Sequence, residues 1–129
     1  MGVSVRRDRR SLATMVKLVH TAVFVLELAA IGWLVVSGMQ RRRDRSVAIA
    51  LGLVAVEAAV FVANDGVCPL TPLAERLGSD RGSVSDIFLP PRVARTIPIW
   101  SSALVAGGIG LHVLDLVAAR ARRPAGLAR

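Results

Sequence analysis

Three long apolar blocks, each closed off by charged or turn-forming residues, limit what this chain can become. The first runs from Leu12 to Gly38, between Arg6-Arg7-Asp8-Arg9-Arg10 and Arg41-Arg42-Arg43-Asp44-Arg45. The second runs from Val47 to Ala63 and stops at Asn64-Asp65-Gly66; the third runs from Ile97 to Ala119 and ends in Arg120, Arg122 and Arg123. At about 1.5 Å of rise per residue, about 20 helical residues cross the roughly 30 Å of bilayer hydrocarbon. The first and third blocks reach that length and the second nearly does. A soluble amphipathic helix interleaves charge with apolar positions, whereas here the charge is gathered into short runs. The pattern predicts an all-α integral membrane protein. Its expected form is a three-helix bundle with spans over 12–38, 47–63 and 97–119, one transmembrane domain over 1–129, and a structured loop over 64–96.

Charge decides which partners fit. The 129 residues carry 17 Lys+Arg against 9 Asp+Glu, a net charge of +8, yet 53% are hydrophobic and the mean hydropathy is +0.56. Such a chain is too apolar for disorder. The arginines crowd the ends of apolar blocks, where anionic lipid headgroups and topology signals account for them better than nucleic acid does. The expected partners are a bilayer with anionic lipids and either further copies of the chain or a larger membrane complex.

Several chemistries are set aside by the residues present. The single cysteine, Cys68, rules out an intramolecular disulfide and the paired thiols of a quinone-coupled oxidoreductase. There is no Tyr. Gly107-Gly108-Ile109-Gly110 lies inside a span rather than after a strand, so it is not a phosphate-binding loop. No Gly-x-Ser-x-Gly elbow and no His-x-x-x-His spacing occurs. The balance leans away from an enzyme.

The first block follows a basic start but is too long for a cleaved signal peptide, contains Glu27 and lacks an Ala-x-Ala site, so it reads as a retained signal anchor. Trp33 and Trp100 fall near opposite membrane faces, as interfacial anchors do. Orientation follows from arginines. The N-terminal side (side A) holds Arg6, Arg7, Arg9, Arg10, Arg76, Arg81, Arg92 and Arg95; the opposite side (side B) holds Arg41, Arg42, Arg43, Arg45, Arg120, Arg122, Arg123 and Arg129. The numbers are equal, but those of side B crowd a very short loop and a span end, where the positive-inside rule acts most strongly. The expectation is a bacterial plasma membrane with loop 40–46 and the C-terminus cytoplasmic.

The side-A loop has start and stop signals of its own. Thr71-Pro72 suits an N-cap and first helical position, Leu73 and Leu77 share a face, and Gly78 can end the helix. Ser83-Val84-Ser85-Asp86 has capping-box-like spacing before Ile87-Phe88-Leu89, and Pro90-Pro91 stops the segment. Two short amphipathic helices on the membrane surface are expected, with an ordinary connecting loop as the alternative.

Five ionisable residues fall within the predicted spans: His20, Glu27, Glu57, His112 and Asp115. Each costs a few kcal/mol unless paired or hydrated. Counting from the block ends at about 1.5 Å per residue puts His20 about 12 Å, Glu27 about 22 Å and His112 about 21 Å from side A, with Glu57 about 15 Å from side B. These depths predict two pairs, His20 with Glu57 and Glu27 with His112. Asp115 shares a face with His112. The result is a polar seam down the bundle. It serves either as glue between helices or as a proton path or polar pocket, since His titrates near neutral pH. No cofactor is expected. The alternative, haem b held by His20 and His112, is opposed by depths that differ by about 9 Å at the same rise per residue. Ala48-xxx-Gly52, Ala55-xxx-Ala59-xxx-Ala63, Ala103-xxx-Gly107 and Ala106-xxx-Gly110 offer small-residue stripes for helix contact.

The least generic stretch is Asn64-Asp65-Gly66-Val67-Cys68-Pro69-Leu70-Thr71-Pro72-Leu73-Ala74-Glu75. It resembles small, uncharacterised bacterial membrane proteins with a Cys-Pro-Leu-Thr-x-Leu motif just after their second span. Those proteins have three predicted spans, a His in span one, matched here by His20, and an aromatic-Leu-Pro segment before the last span, matched by Phe88-Leu89-Pro90. Many carry Glu directly after the second Leu of the motif, where this chain has Ala74. The resemblance extends from Val19 to Leu114 and implies architecture alone. Physically, Asp65-Gly66 ends span two, Pro69 fixes φ and Thr71 caps. Cys68 packs at the interface or offers a surface thiol for acylation or metal. Together these observations predict a small multi-pass membrane protein acting as a non-enzymatic scaffold or accessory subunit. The alternative is a proton-coupled or haem-bearing subunit of a redox or transport system using the His20/Glu57 and Glu27/His112 seam; a lipid-binding loop is a third expectation.

Overall fold

The computed structural model describes residues 2–77 and 89–122, and of 2–7, 9, 10, 91 and 94 the backbone alone. The described residues form helices α1 (Gly2–Met39), α2 (Arg45–Ala63), α3 (Leu70–Arg76), α4 (Pro91–Ala94) and α5 (Ile97–Ala121), with no strand among them. Three segments are long and apolar enough to cross a membrane: Ser11–Met39, Arg45–Ala63 and Ile97–Ala121. They contain the three apolar blocks. The expected capping signals at 78 and 83–88 lie outside the described residues.

The turn between α1 and α2 is built from backbone chemistry that the arginine run hides. Arg41 N–H donates to Gly38 O at 3.1 Å and Arg42 N–H to Ser37 O at 2.9 Å, the paired bonds that end a helix through a left-handed residue. That residue is Arg41, at φ 55°. Asp44 then starts α2 as its N-cap, its carboxylate accepting the Ser46 N–H at 3.0 Å. At the far end of α2 the left-handed positions are Asp65 (φ 55°) and Gly66 (φ 75°), and Gly66 N–H donates back to Phe61 O. Aspartate tolerates this conformation better than most residues.

So short a turn makes α2 antiparallel to α1. Ala30, Ile31 and Leu34 of α1 pack with Val47, Ala50 and Val54 of α2, flanked by Trp33, Leu53 and Val105. Trp33 Nε1–H donates to Ser46 Oγ at 2.9 Å across this pair, and Arg42 lies 5.3 Å over the indole ring.

α5 packs on α1 through a glycine. A Cβ placed on Gly108 would lie 3.2 Å from Leu34 Cβ and 3.3 Å from the Leu34 and Val35 backbone; one on Gly38 would lie 2.9 Å from Leu111 Cβ. The contacts climb both helices in the same order, so α1 and α5 are parallel. With Gly108 level with Leu34, α5 begins about level with Val23 and runs about eight residues past Met39, about 12 Å at the helical rise.

α1 is therefore the central helix. It packs against α2, α5 and α3, whereas α2 and α5 make no comparable contact with each other. The helices enclose an open groove rather than a closed seam. α3 lies against α1 with Thr71 and Ala74 buried. It begins two residues earlier than the sequence suggests: Pro69, at φ −58° and ψ −23°, is already helical and stands at the cap, so Thr71 is an internal, buried residue and not the cap. Pro72 is tolerated there because first-turn N–H groups have no helical acceptor.

Candidate lateral groove

Between α2 and α5, with α1 as its floor, lies a groove of about 560 Å³. His20, Phe24 and Glu27 line it from α1, Glu57 and Phe61 from α2, Cys68 from the following turn, Thr71 from α3, Arg95 from the turn before α5, and Trp100, Ser101 and Ser102 from the start of α5. Seven residues separate His20 from Glu27, so both fall on one face of α1. Glu57 is eleven residues beyond Ser46, which is bonded to Trp33, so it lies about level with the turn between His20 and Glu27.

Glu27 and Glu57 are close enough to interact electrostatically. Neither makes a hydrogen bond or ion pair with any described residue. His20 and Glu57 thus share the groove without forming the direct pair expected of them. Ser102 uses its hydroxyl on its own helix, donating to Pro98 O at 2.6 Å.

His112 and Asp115 are elsewhere. His112 Nε2 lies 3.2 Å from Ser37 Oγ, and that hydroxyl is 3.3 Å from Leu34 O. If the hydroxyl proton goes to the carbonyl, the imidazole donates through Nε2. Asp115 accepts from Arg43 Nε at 2.8 Å, while Arg43 Nη2 reaches the Asp115 carbonyl at 3.0 Å. The Asp115 side chain is 12% exposed, so this ion pair ties α5 firmly to the α1–α2 turn at side B.

The expected pairing of Glu27 with His112 is therefore replaced by two separate polar groups. On the α1 scale His112 is level with residue 38, about 16 Å from Glu27 and about 27 Å from His20. One iron cannot take both histidines of a single chain. The depth count failed because it started from the end of the first apolar block. That helical segment has 29 residues, about 43 Å, well beyond the roughly 30 Å core, so its end does not mark the membrane boundary. Aligned on α5, Glu27 lies near Ser101, about 6 Å inside the start of that helix.

Sequence reasoning missed Arg43 as the partner of Asp115, because nothing distinguishes it from its arginine neighbours. It also missed Trp100, Phe24 and Phe61 as groove walls. Of the small-residue stripes, Gly52, Gly107 and Gly110 face open space, and the contact glycines are Gly38 and Gly108. Cys68 is half-buried at the groove's side-A end.

The fold and the groove define the class: an all-α integral membrane protein with three membrane-span helices and, between two of them, a largely apolar groove that carries two carboxylates. Comparison with family models, curated proteins and solved structures finds no match for this chain.

Proposed function

We propose that the chain is a non-enzymatic membrane protein that acts by binding, as a scaffold or accessory subunit whose working surface is the groove between α2 and α5. One observation carries this reading: α2 and α5 are each held to α1 but make no comparable contact with each other, and Glu27 and Glu57 face the gap without a partner among the described residues. A polar group left unmatched at membrane depth favours an occupant that matches it. Kinship with the three-span Cys-Pro-Leu-Thr-x-Leu proteins belongs to the same proposal, as do the three helices acting as a bundle, α1 as an uncleaved anchor and α3 with α4 at the membrane surface. So do a bacterial plasma membrane, cytoplasmic placement of loop 40–46 and the C-terminus, and contact of Arg41, Arg45, Arg120 and Arg122 with anionic lipids.

A photo-crosslinking amino acid in native membranes tests the reading. Placed at Ala58, on the groove, it is expected to give one discrete adduct other than bulk phospholipid; placed at Val56, which is 65% exposed on the outer surface of α2, it gives bulk lipid alone. Identical lipid patterns from both positions overturn it.

A second reading, a proton-coupled subunit, is supported by His20, Glu27 and Glu57 lining one groove. It no longer includes His112. Proteoliposomes under a pH gradient would then show proton movement that Glu57→Gln removes.

A further inference from the structure

The groove contains a charge pattern that names the chemistry of its occupant, provided the groove is the working surface proposed above. Glu27 and Glu57 face it from two different helices and interact with each other, and neither has a counter-charge within the described chain. Around them the wall is apolar and aromatic, with Phe24, Phe61 and Trp100. Aromatic faces attract cations, and desolvation strengthens that attraction. The other titratable groups on the groove are His20 and Cys68 toward side A, and Arg95 on the turn before α5. Arg95 is exposed at that end of the groove, where its charge disfavours a cation entering past it. The gap between α2 and α5 offers a second route, from the bilayer.

Size separates a small molecule from a partner helix. The groove's 560 Å³ falls within the roughly 300–1,000 Å³ typical of sites for drug-sized ligands. Ten residues of a partner helix, about 10 Å wide and about 15 Å long, need roughly twice that. We propose that the groove is a binding site for a lipophilic organic cation, its charge met by Glu27 and Glu57 and its apolar body held against Phe24, Phe61 and Trp100.

The full chain in lipid nanodiscs, with empty nanodiscs as background, provides the test. The probes are tetraphenylphosphonium and tetraphenylborate, which share a shape and differ in the sign of their charge. Equilibrium dialysis is expected to show saturable tetraphenylphosphonium binding that tetraphenylborate does not displace. Glu27→Gln and Glu57→Gln are each expected to weaken it at least tenfold, and Glu57→Asp to restore most of it. Equal retention of the two ions, no saturable binding, or binding unchanged in the E27Q/E57Q double variant overturns the proposal. The comparison of ions uses the unaltered chain, so it decides the charge requirement even where a Gln variant fails to fold. Should the cation fail while the Ala58 crosslink still gives its discrete adduct, the occupant's identity falls and the binding groove stands.

Discussion

Two residues in the α1–α2 turn show how local chemistry shapes a segment that composition describes only as basic. Arg41 occupies a left-handed conformation that glycine adopts without a Cβ penalty. Arg41→Gly is accordingly expected to raise stability by up to about 1 kcal/mol, read as a higher unfolding midpoint in detergent. Asp44 makes the opposite case. Its carboxylate is held below the usual range, first by the hydrogen bond from the Ser46 hydroxyl; desolvation, the next largest effect, opposes this, and Arg42 and the Ser46 N–H add to the lowering. A carboxyl that binds its proton less readily folded than unfolded contributes stability above its ordinary value near 3.9, and loses it as pH falls through the lowered folded value. Acid unfolding followed by circular dichroism is expected to show a limb below about pH 4 that Asp44→Asn flattens. A flat limb in the unaltered chain would remove Asp44 as a contributor.

Helices meet here through single positions rather than stripes. Gly108 lets α5 rest on the Leu34–Val35 backbone of α1, while its neighbour Gly107 has open space where a Cβ would go. Backbone is a poor neighbour to push aside. Gly108→Ala is thus expected to cost about 1–3 kcal/mol as the helices separate by tenths of an ångström, and Gly107→Ala to be neutral or mildly stabilising through helix propensity. Unfolding of both variants in mixed micelles distinguishes them; similar losses would mean the crossing lies elsewhere. The spans themselves were legible in the sequence because each averages hydropathy over a whole helix. Their register was not. Adjacent glycines 100° apart on a helix read alike, and spacing favoured Gly107 and Gly110 over Gly108. The acidic partner of Arg43 was hidden for a related reason: a run of arginines gives no sign of which one turns back toward α5.

At the scale of the molecule, register separates the polar residues into two groups. Intramembrane acids and histidines were legible as a set, and three of them, His20, Glu27 and Glu57, do share one groove. Their partition was not legible, since it depends on how far α5 slides along α1. With His112 beside Ser37 and about 27 Å from His20, haem reconstitution is expected to give no reduced α-band that vanishes in both His20→Ala and His112→Ala. A band lost in both variants would require the helices to slide by several turns or two chains to share the iron. The slide has a mechanical consequence as well. From Ser11 on α1 to Ala121 on α5, the paired helices extend about 54 Å along their common axis. That exceeds any ordinary hydrocarbon thickness, so hydrophobic mismatch falls on the molecule as a whole. It is relieved by leaning, and least strained in membranes rich in long acyl chains. Because the groove opens sideways, the same lean sets the level at which its mouth meets the lipid tails.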